Sequence, residues 1–195
     1  PISIDLALSG GIKEGSWVIL TGDPKCGKTT TALQIAATCQ KDGRPIIYLD
    51  AEGRLKEMNL LGVDGLDKDK MQVIHSEDEP LSAETFLDIA VKLVSAKENE
   101  GCVCIIDSTS ALMPAKELDG DMTPGRAGLP KVLSVFCKKM GQIVPNLLWN
   151  ESQDFQCLHT ESLFCKFVVG LPLSGQNYGF RVFENFNSKA KTIAT

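Results

Sequence analysis

Eight residues, Gly22-Asp23-Pro24-Lys25-Cys26-Gly27-Lys28-Thr29, have the types and spacing to hold a polyphosphate. They fit G-x-x-x-x-G-K-[ST], a phosphate-binding loop. Its glycines permit backbone geometry that a Cβ resists, so successive N–H groups can converge on an anion. The lysine directs a full charge at the β- and γ-phosphates, and the threonine hydroxyl can ligate Mg²⁺. Two later acids extend this chemistry. Asp107 closes the apolar run Val103-Cys104-Ile105-Ile106, the pattern of a Walker B strand, where a carboxylate can hold Mg²⁺ through its water shell. Glu52 lies just past a second apolar run and can orient and deprotonate an attacking water. Asp50 is an alternative for that role, or a support for the metal shell. The alternative for Asp107 is a strand-end acid capping the next turn, and for Glu52 a solvated turn acid.

These side chains need a scaffold. The run Trp17-Val18-Ile19-Leu20 predicts a strand before the loop, and Thr30 to about Lys41 a helix after it, stopped by Asp42-Gly43. Pro45 to Leu49 predicts a second strand, 54–61 a short helix and Gln72-Val73-Ile74 a third strand. Ser82 can cap a helix from Ala83 to Lys97, with Phe86, Leu87, Ala90, Leu93 and Val94 on one face. After the Asp107 strand comes a loop rich in Gly, Asp and Pro, from Asp119 to Pro130. A helix carrying Val132, Leu133, Val135, Phe136 and Met140 follows it. Strands alternating with helices imply an α/β fold, a mostly parallel central sheet with helices on both faces. Ligands in such sheets bind outside the carboxyl ends of the strands. The phosphate loop, Asp50 with Glu52, and Asp107 all fall there.

Composition sets bounds. The chain has 195 residues, enough for one domain with a substantial core, and 43% are hydrophobic. No apolar run approaches the roughly 18 residues of a membrane span, and no signal peptide is visible. The chain opens on Pro1, so the expectation is that its true N-terminus is missing. A net charge of -5 argues against nucleic-acid binding by bulk charge but not against contacts from a few loops. Seven scattered cysteines without paired C-x-x-C units argue against zinc and suit reduced cytosolic thiols. His75 and Arg44 read as structural and solvated, respectively.

Several stretches in order resemble the core of RecA recombinases. These are Ile4 to Leu8 with Gly10-Gly11, then Gly15, then Thr21 to Thr30. Tyr48-Leu49-Asp50-Ala51-Glu52-Gly53, Leu61-Gly62-Val63-Asp64 and Ile105 to Pro114 continue the pattern. The segment 2–144 is similar above all to the UvsX-type recombinases of phages. The resemblance implies a RecA-like P-loop NTPase using ATP and Mg²⁺. ATP would be held by Gly22, Asp23, Pro24, Lys25, Cys26, Gly27, Lys28, Thr29 and Thr30, the metal by Thr29 and Asp107, with Glu52 as the catalytic glutamate. Asp119 to Leu129 matches the family's first mobile DNA-binding loop. Met122, Thr123 and Arg126 are its implied contacts with single-stranded DNA: Arg126 as the loop's only cation, Met122 as an apolar wedge. Self-association into a helical filament or ring is implied as well. No membrane partner is expected, and the location would be the cytoplasm of a bacterium or phage-infected host.

The resemblance divides the chain. Residues 1–146 would be a RecA-like ATPase core lacking its N-terminal assembly segment. Residues 147–195 would be a divergent or frameshifted tail that could complete the sheet. Where the family has a buried strand and a γ-phosphate sensor, Asn146 to Asp154 makes a poor strand, and His159 is the one sensor candidate. Six of the eight phenylalanines crowd the last quarter, and the second DNA loop is not recognisable. Gly179 to Val182, with Lys189 and Lys191, distantly resembles a later basic strand. The expected function is an ATP-dependent recombinase acting in DNA strand exchange and repair. The alternatives are another RecA-like ATPase, of helicase or clock type, and a nucleotide-binding fragment without turnover.

Overall fold

A computed structural model describes residues 2–8, 10–12, 17–75, 81–118, 128–149, 165–169, 179–183 and 191–194. Helix α1 (Ile2–Ala7) precedes strand β1 (Trp17–Thr21), helix α2 (Lys28–Lys41) and strand β2 (Ile46–Asp50). Then come α3 (Glu57–Leu61), β3 (Met71–His75), α4 (Ala83–Ser95), β4 (Val103–Asp107), α5 (Ala115–Leu118) and α6 (Gly128–Trp149). Three further strands close the order: β5 (Cys165–Val169), β6 (Gly179–Phe183) and β7 (Lys191–Ala194).

Among the described residues the strands form one seven-stranded sheet in the order β3-β2-β4-β5-β1-β6-β7. The first five are mutually parallel; at one edge β6 pairs antiparallel with β1, and β7 antiparallel with β6. The fold is α/β, with a sheet that is mostly parallel. Its register brings the carboxyl ends of β2 and β4 level, so that Asp50 sits opposite Asp107.

Uninterrupted apolar runs suit β2 and β4 because both their faces are covered. Ile46, Tyr48, Val103 and Ile105 pack with Ala32, Leu33, Ile35, Ala36 and Ala37 of α2. Their neighbours Ile47, Leu49, Cys104 and Ile106 pack instead with Phe86, Leu87, Ala90 and Val94 of α4 and with Phe136 and Met140 of α6. Trp17 meets Phe136 edge to face, ring centroids 6.0 Å apart. The α2 face is mostly alanine, so that helix lies close against the sheet and its first turn stays near the strand ends. Phe86→Ala removes one of the largest fillers of the second cluster. We expect it to lower unfolding stability by about 3–5 kcal/mol, measured by urea titration.

Element ends differ from the sequence pattern in three places. Helix α3 begins at Glu57 rather than 54, because the Asp50 carboxylate accepts the N–H groups of Arg54 (3.2 Å) and Leu55 (2.8 Å) and holds them out of a helix. Helix α4 stops at Ser95, short of Lys97. Ala96 is extended there, and the Asn99 amide donates to the Leu93 carbonyl at 3.0 Å. Helix α6 starts at Gly128, inside the expected loop, and continues through residues 147–149, which read from the sequence as a poor strand. Its apolar face, Leu129, Val132, Leu133, Phe136, Met140 and Ile143, keeps helical spacing past Met140. The strand lying between β4 and β1 is Cys165–Val169.

Candidate functional site

The loop from Gly22 to Gly27 joins β1 to α2. Gly27 is the N-cap of α2 at φ 91°, in the left-handed region, and a Cβ there would meet no atom within 4 Å. Glycine is needed at this position for its backbone, not for room. Lys25 is also left-handed, at φ 65°, which costs a residue with a Cβ roughly 1–2 kcal/mol. Among the described residues no side chain caps α2. Its leading N–H groups therefore lack an acceptor within the helix, and they sit at the positive end of the helix dipole. A bound anion would satisfy both.

Lys28 folds over this loop. Its Nζ donates to the Gly22 carbonyl at 3.0 Å and the Asp23 carbonyl at 2.8 Å. Thr29, one residue on, donates its hydroxyl to Asp107 Oδ2 at 2.7 Å. The same oxygen accepts the Tyr48 hydroxyl, also at 2.7 Å. Tyr48 lies opposite Ile105 in the ladder. Its ring spans the roughly 6.6 Å of two strand residues to reach Asp107. Burial, and next the Asp107 carboxylate, push the Tyr48 phenol well above its ordinary pKa, so it stays a donor. Tyr48→Phe removes one of the two donors on Asp107. We expect a loss of about 1.5–3 kcal/mol of stability by urea titration.

Glu52 comes from the turn after β2. Its Oε1 accepts the Ser108 hydroxyl at 2.7 Å, and its Oε2 faces Arg54 Nη1 at 3.1 Å. The Asp107 carbonyl accepts the N–H of Ala51 at 2.8 Å and of Glu52 at 3.3 Å, tying the two strand ends together. Asp50 does something else. It is buried, and its carboxylate serves the Arg54 and Leu55 amides. It caps the turn and does not line the cleft that Glu52 lines.

A cleft of about 540 Å³ gathers these groups: Gly22, Pro24, Lys25, Gly27, Lys28, Thr29 and Thr30 of the loop and helix start, with Glu52 and Asp107. Asp23 and Cys26 belong to the loop but do not line the cleft. Ser108, Ser110, Arg54, Leu55 and Asn59 line it too, and their residue types alone do not mark them. Tyr48 carries no local signal either, although alternation along β2 and β4 puts it on the same face as Asp107. Among the described residues no group of three or more His, Cys, Asp or Glu is arranged to hold a metal alone. Magnesium asks for less: one or two protein oxygens, with phosphate and water completing its shell. The adjacent Thr29 hydroxyl and Asp107 carboxylate fit that demand.

Met122, Thr123, Arg126 and His159 lie outside the described residues. The chain on either side of 119–127 comes together: a Cβ on Gly128 would come within 2.7 Å of Glu117 Oε1 and 3.1 Å of Pro114. Among the described residues, no helix is long and apolar enough to cross a membrane; the longest, α6, carries Lys131, Lys138 and Lys139.

The part of the chain that carries these features is similar to known proteins. The family described as the RecA N-terminal domain matches residues 1–148. Protein RecA of Mycoplasma pneumoniae is 33% identical over 146 residues, 74% of this chain and 41% of that protein. Protein RecA of Oleidesulfovibrio alaskensis is 39% identical over 128 residues, 65% of this chain and 34% of that protein. For Protein RecA of Clostridioides difficile the identity is 35% over 129 residues, 66% of this chain and 35% of that protein. The matched part thus spans about two fifths or less of the length of these curated relatives. The family match covers the phosphate loop, both strand-end acids and the strands β2 and β4 that align them, and the chain belongs to the RecA N-terminal domain family.

Proposed function

We propose that this chain forms the ATP-binding and ATP-hydrolysing core of a RecA-type recombinase that binds single-stranded DNA and promotes strand exchange in recombination and repair. One observation carries the ATPase part. The Thr29 hydroxyl and the Asp107 carboxylate meet at 2.7 Å inside a cleft that Lys28 and Glu52 also line. The backbone N–H groups of the loop between Gly22 and Thr30, all but that of Pro24, and the Lys28 ammonium would bind the triphosphate, with Lys25 as a second cation at the rim. Thr29 and Asp107 would hold Mg²⁺, which supplies charge neutralisation across the β- and γ-oxygens. Glu52 would take the proton of the attacking water.

DNA contact is assigned to the segment between α5 and α6, through Met122, Thr123 and Arg126. Its support is the family membership. Single weak contacts suffice when many subunits line one strand, so the proposed assembly is a filament or ring on DNA in the cytoplasm. The test is steady-state ATP hydrolysis with and without single-stranded DNA. Turnover that rises with DNA supports the recombinase. Turnover indifferent to DNA points to another RecA-like ATPase.

A further inference from the structure

We infer that Ser108 is a positioning residue for Glu52, at the centre of a directed hydrogen-bond chain running from Ser110 through Ser108 to Glu52 Oε1. The inference rests on the proposed ATPase, in which Glu52 is the base.

The direction follows from counting protons. A serine has one O–H to donate. Ser108 directs its proton at Glu52 Oε1, at 2.7 Å, because an ionised carboxylate only accepts. The contact between Ser108 Oγ and Ser110 Oγ, also 2.7 Å, must then be donated by Ser110. Ser108 is buried and Ser110 lies at the cleft surface, so the chain runs from the cleft through a sheltered hydroxyl to the carboxylate. Successive hydrogen bonds polarise one another, and this one tightens on the charged form of Glu52.

The two carboxylate oxygens are held unequally. Oε1 has the buried Ser108 donor. Oε2 has Arg54, whose side chain is 82% exposed and whose ion pair is screened by solvent. Ser108 therefore anchors Oε1, and Oε2 is the oxygen that can release its partner and receive a proton from water. The backbone supports this geometry. Asp107 offers its carbonyl to the Glu52 amide, directly before Ser108 in the chain. The acid that accepts from Thr29 and the serine that orients the base are thus sequence neighbours. Any shift of Asp107 moves both.

The test compares the 195-residue chain with Ser108→Ala, Ser108→Thr and Ser110→Ala. Ser108→Ala should lower kcat about 10-fold or more while KM for ATP stays within about 2-fold, the split expected of an interaction that matters only to the reacting state. Ser108→Thr, which keeps the hydroxyl, should recover most of kcat. Ser110→Ala should fall between the two. A crystal structure of Ser108→Ala without nucleotide gives a readout independent of turnover, and Glu52 should leave its position there or occupy several rotamers. The inference is overturned if kcat is unchanged in Ser108→Ala, if Thr fails to rescue it, or if Glu52 stays in place without the hydroxyl. A parent chain that binds ATP but never hydrolyses it would overturn the ATPase proposal, and with it the catalytic meaning of the chain. The crystal structure would still report separately whether Ser108 orients Glu52.

Discussion

Lys28→Ala is expected to weaken ATP binding by about 10- to 100-fold, read by titration of the chain with a fluorescent ATP analogue. The magnitude follows from the charge. A hydrogen bond to an ionised group is worth about 1.5–3 kcal/mol, and each 1.4 kcal/mol is tenfold in affinity. Lys28 is placed for the task by its own loop: the Gly22 and Asp23 carbonyls hold its ammonium over the cleft at 3.0 and 2.8 Å. Both bonds are at least partly open to solvent, so water can replace the ammonium and the fold should survive the substitution. Unfolding by urea should therefore shift little while affinity drops. Equal affinity in the variant and the parent would remove Lys28 from the site.

Glu52→Gln should separate binding from chemistry. Glutamine has the shape of glutamate and can still accept from Ser108, but its amide cannot take a proton from water. The ion pair with Arg54 is lost, which matters little because that arginine is so exposed. Nucleotide affinity should stay within a few-fold. Turnover should fall by about 10²- to 10⁴-fold, the usual contribution of a general base. Full activity in this variant would move the base to another group in the cleft.

The parts of the site that are local in sequence are legible from residue order alone. The phosphate loop carries its own signal because its glycines, lysine and threonine share one short run. Asp107 and Glu52 are visible because each follows an apolar run, and a parallel sheet brings strand ends to one side. What stays hidden depends on contacts across the sheet. Tyr48 looks like a buried aromatic until β2 and β4 are placed side by side, when its hydroxyl reaches Asp107. Asp50 and Glu52 look interchangeable, two residues apart on one turn. The structure separates them because Asp50 is buried and committed to the amides of Arg54 and Leu55. The start of α3 is hidden for the same reason: the sequence pattern favours a helix from Arg54, and the Asp50 carboxylate overrides it by capturing two backbone amides. The strand between β4 and β1 is expected in a stretch that α6 occupies through Trp149. Leu147, Leu148 and Trp149 are apolar enough for either structure, and the helical face already running through Phe136, Met140 and Ile143 decides it.

The central claim is that one cleft holds a triphosphate against Lys28 and its metal against Thr29 and Asp107. A crystal structure of the chain with Mg²⁺ and a non-hydrolysable ATP analogue tests it most directly. The account predicts phosphate oxygens on the Lys28 ammonium and the loop amides, the metal on the Thr29 hydroxyl with Asp107 beside it, and Glu52 facing the γ-phosphate. A nucleotide bound elsewhere, or a metal remote from Thr29, would contradict it.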